Sequence, residues 1–173
     1  VSQRLLVSNG PEGPIRGGES AVTDMVLMDD GWTYGSTCAT WGAQQCHLFR
    51  TNGETVEHVV NITALLPWQS SVTDILYASE NTIFGCTSTY NELFDEANSR
   101  YEVGRLCSYN TATRTLNDLG IIAAGQGINC IALDKTHSRI YGVTYPAGHL
   151  FAYNFSTKEI KDYGEVMTPW RVK

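Results

Sequence analysis

Three side chains stand out as able to do acid–base chemistry together. Tyr145 and His149 lie four residues apart on either side of a Pro-Ala-Gly turn, and Arg100 precedes them on a separate long loop. A Tyr or His can remove or deliver a proton, while a guanidinium neutralises a carboxylate beside the reacting carbon. That trio would suit proton abstraction α to a carboxylate if the fold brings it together. Around it, Trp41, Tyr90, Glu92 and Tyr101 form a recognition set, with aromatic faces for stacking and a carboxylate for accepting hydroxyl hydrogen bonds. The competing reading of Glu92, Asp95 and Glu96 is a solvated polar cap, since charged loop residues are mostly just exposed.

These residues need a scaffold, and the scaffold shows in internal repeats. Val22-Thr23-Asp24-Met25 is matched by Val72-Thr73-Asp74-Ile75 and by Ile128-Asn129-Cys130-Ile131. An aromatic-Gly-x-Thr signature follows each time, at Gly35, Gly85 and Gly142, and then an apolar segment begins at His47, Arg105 or His149. Beyond that, Tyr109-Asn110-x-x-Thr113-Arg114 aligns without gaps on Tyr153-Asn154-x-x-Thr157-Lys158. Each unit reads as four short strands: an apolar first, a glycine-bearing second, a third, and a polar fourth entered through an Asn-x-x-Thr turn. Units of four strands in roughly 40 to 50 residues are blades of a β-propeller. A β-sandwich with chance similarity is the competing architecture.

The expected fold is therefore all-β, one partial propeller domain over residues 1–173. Its blades span about 21–62, 71–122 and 127–166, with 1–20 and 167–173 belonging to flanking blades. Closed propellers use about four to eight blades. Three would leave large sheet faces uncovered, so the expected partners are further blades of a longer or cleaved chain, or a second copy.

Tyr141-Gly142-x-Thr144 with His149-Leu150-Phe151-x-Tyr153-Asn154-x-x-Thr157 resembles the blade repeat of secreted or periplasmic propellers, propeller-type polysaccharide lyases among them. The Trp-Asp dipeptide and the paired glycines of two other propeller classes are missing. The resemblance covers the three units and implies the architecture, not the chemistry. The aromatic-rich loops at the channel mouth and the absence of a nucleophile motif favour a secreted propeller that binds a glycan or protein there. The alternative is a lyase acting on a uronic-acid glycan, with Tyr145, His149 and Arg100 as the reacting set.

His47 and His149 occupy equivalent repeat positions, with Arg105 at the third, which favours a structural job over catalysis. His58 and His137 look incidental. Five cysteines stand at 38, 46, 86, 107 and 130. Cys38 with Cys46, and Cys86 with Cys107, bracket equivalent loops, so two disulfides are expected and Cys130 is left as a core thiol. Five buried thiols are the alternative. Asn61-Ile62-Thr63 and Asn154-Phe155-Ser156 are N-glycosylation acceptor patterns, and both features tilt toward secretion. A net charge of −6 with scattered Lys and Arg argues against nucleic acid. No apolar run reaches membrane-spanning length, no metal-ligand spacing is evident, and no cofactor is indicated.

Overall fold

A computed structural model of the protein describes residues 19–39, 45–79, 81–89 and 104–166. Within them the chain forms three antiparallel meanders. The first blade is β1 (Glu19–Leu27), β2 (Thr33–Ala39), β3 (His47–Thr51) and β4 (Val56–Asn61). A single helical turn, α1 (Ile62–Leu65), leads to the second: β5 (Ser71–Ser79), β6 (Thr82–Ser88), β7 (Arg105–Asn110) and β8 (Thr115–Ile121). The third is β9 (Gly127–Asp134), β10 (Arg139–Tyr145), β11 (His149–Asn154) and β12 (Glu159–Glu165). These are three four-stranded propeller blades in an incomplete ring.

The repeat signatures have local physical causes. In aromatic-Gly-x-Thr, the threonine hydroxyl accepts the backbone N–H that starts the third strand. Thr37 does so for His47 at 2.9 Å, Thr87 for Arg105 at 2.9 Å and Thr144 for His149 at 3.0 Å. That bond closes the base of each loop between second and third strands. The glycine leaves room for an aromatic ring of the third strand. A Cβ on Gly142 would sit 2.5 Å from the Phe151 ring, and one on Gly35 only 2.3 Å from that of Phe49. In blade 2 the ring is replaced by Cys107, and the space opens to 3.4 Å.

The turn into each fourth strand is an Asx turn. Asn110 Oδ1 accepts the N–H groups of Ala112 and Thr113, and Asn154 does the same for Ser156 and Thr157. Asn52 provides a third instance through Glu54 and Thr55. A register shift recurs at one place in every blade, at Leu48/Phe49, Leu106/Cys107 and Leu150/Phe151. Such bulges raise the local twist that a radial blade needs.

Blades pack face to face, and the core lies in the two seams. Tyr34, Leu48, Val72, Ile75, Ile83 and Tyr109 fill the seam between blades 1 and 2. Phe84, Leu106, Ile128, Ile131, Ile140 and Phe151 fill that between blades 2 and 3. The innermost strands β1, β5 and β9 lie side by side and are cross-linked by the repeated Thr-Asp pair. Thr23 Oγ1 donates to the Val72 carbonyl at 2.5 Å, and Asp24 Oδ2 accepts the Ile75 N–H at 3.0 Å. One blade further on, Thr73 Oγ1 donates to the Ile128 carbonyl at 2.6 Å, and Asp74 Oδ2 accepts the Ile131 N–H at 2.8 Å.

The cysteines depart from expectation, because no disulfide joins the described residues. Cys107 pairs across the ladder with Gly85, so its side chain and that of its neighbour Cys86 project from opposite faces of blade 2. Cys107 belongs to one seam and Cys86 to the other, and no bridge can span the sheet. Cys46 is turned into the core, its Sγ 3.6 Å from both Thr63 Oγ1 and the Gln69 carbonyl, and is not joined to Cys38. Cys130 is exposed rather than a core thiol. It occupies the repeat position of Asp24 and Asp74, which faces away from the preceding blade.

Candidate functional site

Antiparallel meanders send the loops between second and third strands, and the links between blades, to one end of the ring. Two of the expected catalytic residues lie there. Tyr145 ends β10 and is 54% exposed, and His149 opens β11. Between them Gln126, from the link into blade 3, accepts the N–H of Ala147 on Oε1 at 2.6 Å. That bond ties the 146–148 turn to the neighbouring link. Arg100, Trp41, Tyr90, Glu92 and Tyr101 lie outside the described residues.

His149 is held firmly. Its Nδ1 lies 2.8 Å from Asp162 Oδ2 on β12, and its backbone N–H is taken by Thr144. Burial works against the Asp162 charge, yet the Gly164 N–H and His149 together hold that carboxyl below the usual range. The same arrangement recurs in blade 2, where Arg105 is ion-paired to Asp118. In blade 1 the equivalent positions hold His47 and His58, whose rings meet edge-on at 5.1 Å. The position thus joins the third strand to the fourth in every blade, and arginine fills it as well as histidine.

A residue that sequence reasoning passed over stands at the same end. Trp68, in the link from α1 to β5, is 64% exposed and has φ +71°. Left-handed backbone is costly for a bulky side chain and persists only where neighbours enforce it. Here they do. The Trp68 carbonyl accepts the Thr89 hydroxyl at 2.9 Å. The next residue, Gln69, is buried, with Oε1 accepting Thr87 Oγ1 at 2.6 Å and its carbonyl accepting Thr63 Oγ1 at 2.5 Å. The indole is thus held outward on a pinned link, its face open to solvent. Its sequence signal was only the Pro67-Trp68 dipeptide between two blades.

The two glycosylation patterns are placed differently. Asn61 caps α1, its Oδ1 accepting the Ala64 N–H at 3.0 Å, while its Nδ2 donates to Gln45 Oε1 at 3.2 Å. Thr63 of the same tripeptide is committed to Gln69 and Cys46. Asn154 sits in the β11–β12 turn, whose residues 156–158 are exposed. Among the described residues no three His, Cys, Asp or Glu side chains converge as a metal site. No described helix is long and apolar enough to cross a membrane.

No family model matches the chain, and no curated protein matches it. Solved structures do, and propeller-like proteins are among them. The extracellular domain of the one-component system BT4673 from B. thetaiotaomicron aligns with 94% of this chain and 19% of its own length, at 14% identity and TM-score 0.57. An auxiliary nutrient binding protein from Bacteroides thetaiotaomicron aligns with 88% of this chain and 32% of its own, at 16% identity and TM-score 0.58. An oligogalacturonate lyase in complex with manganese aligns with 86% of this chain and 42% of its own, at 13% identity and TM-score 0.54. The chain therefore spans less than half the length of these structures, and what it shares with them is the propeller fold.

Proposed function

We propose that this chain supplies three blades of a larger extracellular propeller that binds a ligand, a glycan or a protein surface, at the end carrying Trp68 and Tyr145. The observation that carries the reading is the presence at one end of two exposed aromatic side chains, Trp68 on a link and Tyr145 at a strand end, each beside a backbone segment held by hydrogen bonds. Rigid aromatic surface at low ordering cost is what stacking against a sugar ring or anchoring a peptide requires. Two of the similar structures are an extracellular domain and a nutrient binding protein, which supports the class. The acceptor pattern at Asn154, in an exposed turn, supports an extracellular setting.

The alternative, a lyase acting on a uronic-acid glycan, would use Tyr145 and His149 with Arg100. The likeness to an oligogalacturonate lyase supports it. Against it, His149 fills a repeat position that Arg105 fills in blade 2, and arginine does not serve as a base. Binding is therefore the stronger reading.

The remaining blades are proposed to dock on the outer face of blade 1. Val22 and Met25 are 46% and 49% exposed, whereas their repeat equivalents Val72 and Ile75 are 1% and 2%, and Ile128 and Ile131 are 1% and 6%. Each equivalent pair is covered by the preceding blade, and burying such side chains contributes about 1.5–3 kcal/mol apiece. Native beside denaturing mass spectrometry separates a second copy from further blades of one polypeptide.

The test of function is a glycan and peptide panel read by calorimetry, with an absorbance assay for unsaturated products run beside it on uronic-acid polymers. Saturable binding that Trp68→Ala and Tyr145→Ala each weaken about tenfold, without turnover, is the expected result. Turnover abolished by His149→Arg would instead establish the lyase, and a blank panel would remove both readings.

A further inference from the structure

The end of the ring opposite Trp68 and Tyr145 carries a second feature, an open cleft of about 130 Å³ between blades 1 and 2. Tyr34, Arg50 and Glu57 wall it from blade 1; Tyr109, Thr111 and Arg114 wall it from blade 2. Arg50 is already committed. Its Nε and Nη2 both donate to Glu57 Oε2, at 2.8 and 2.6 Å, and its guanidinium stacks 4.2 Å from the Trp32 ring. The Thr111 hydroxyl donates to the Asn81 carbonyl at 3.2 Å.

Two groups are left over. Tyr109 is buried as a residue, and it lines the cleft; its hydroxyl is not one of the buried polar atoms without a partner, so it opens to the cleft rather than being sealed in the wall. Arg114 stands on the β7–β8 turn at φ +57°, and its guanidinium has no ion pair among the described residues. The two are close enough to feel one another. Burial and the neighbouring Tyr34 raise the Tyr109 phenol, while the positive charges of Arg114 and Arg50 pull it back down.

We propose that this cleft binds a small, singly charged organic carboxylate, gripped by the Arg114 guanidinium and the Tyr109 hydroxyl. A guanidinium fork matches a carboxylate through two parallel N–H···O bonds, and the phenol adds a third donor to an oxygen. The charge balance sets the valence. Glu57 is paired with Arg50, which leaves the exposed Arg114 as the wall's cation beside the lining His58, and the Glu57 carboxylate disfavours a dianion. The site is separate from the Trp68 and Tyr145 rim and lies on the opposite side of the seam.

The probes are acetate and benzoate, with benzamide as the neutral counterpart of benzoate and inorganic phosphate as the more highly charged anion. Protein-observed NMR titrations are run on the intact chain. Both carboxylates should saturate, moving resonances of the β7–β8 turn, and benzamide and phosphate should bind at least tenfold more weakly. Arg114→Asn removes the charge while tolerating left-handed backbone, and should weaken benzoate about tenfold. Arg114→Lys, which keeps the charge and loses the fork, should fall between. Tyr109→Phe should weaken binding about threefold, and Trp68→Ala should leave it unchanged. No saturation, or an affinity untouched by Arg114→Asn in a protein with unaltered amide dispersion, overturns the proposal. So does tighter binding of phosphate than of acetate.

Discussion

Asp74 on the innermost strand of blade 2 accepts the backbone N–H of Ile131 on the innermost strand of blade 3, at 2.8 Å. Its counterpart Asp24 accepts Ile75 one blade earlier, so a single side-chain type fastens both seams where no ladder runs between the strands.

The Asp74 carboxyl is pushed up to about 6, first by burial and then by the adjoining Asp24 carboxyl, against the pull of the Ile131 and Ile75 N–H groups. A carboxyl raised above its unfolded value of 3.8 favours the protonated fold. Its contribution is complete below about pH 4 and is lost as pH rises through about 6. Thermal unfolding between pH 4.5 and 7.5 should show a lower midpoint at the upper end for the native chain. Asp74→Asn should flatten that slope. Asp74→Ala should instead cost about 1–3 kcal/mol at every pH by orphaning the Ile131 N–H. An unchanged slope in the Asn variant would show that Asp74 is not the titrating group.

Glycine at the repeat signature should matter unequally. A Cβ at Gly142 would overlap the fully buried Phe151 ring and approach the Cys130 carbonyl to 2.9 Å, while one at Gly85 meets nothing closer than 3.4 Å. Gly142→Ala should destabilise by about 1–3 kcal/mol and Gly85→Ala by less than about 1 kcal/mol. Urea midpoints at constant slope measure both.

The histidine of blade 3 should be replaceable by the residue that blade 2 uses. His149→Arg recreates the Arg105–Asp118 pairing opposite Asp162, and unfolding midpoint and ligand affinity should both survive. His149→Ala should lower stability by about 1 kcal/mol through the lost pair. An affinity that falls in His149→Arg while the midpoint holds would mean that His149 touches the ligand.

Thiol chemistry should follow burial. Burial pushes the Cys107 thiol up to about 12 and drives Cys86 well above its usual value. Since the thiolate is the nucleophile, neither should react with iodoacetamide in the folded protein, whereas exposed Cys130 should label readily. Intact mass should not change on adding reductant. A shift of two mass units on reduction would indicate a bridge.

Much of the architecture was legible in the sequence because blades repeat. The aromatic-Gly-x-Thr and Asn-x-x-Thr patterns report local backbone needs, a loop base closed by Thr144 and an Asx turn closed by Asn154, and such needs recur wherever the residues do. Strand count, order and loop end follow from that recurrence. What spacing could not reveal was which face each side chain takes and what lies across a seam. Cys86 and Cys107 bracket one loop in sequence yet point into different seams, because side chains alternate along a strand. Trp68 and Arg114 lie within stretches that read as link and turn, and Tyr109 within an ordinary third strand. Only the packing of one blade against the next, with buried bonds holding Trp68 outward and the first seam opening at Tyr109, makes them candidates for binding.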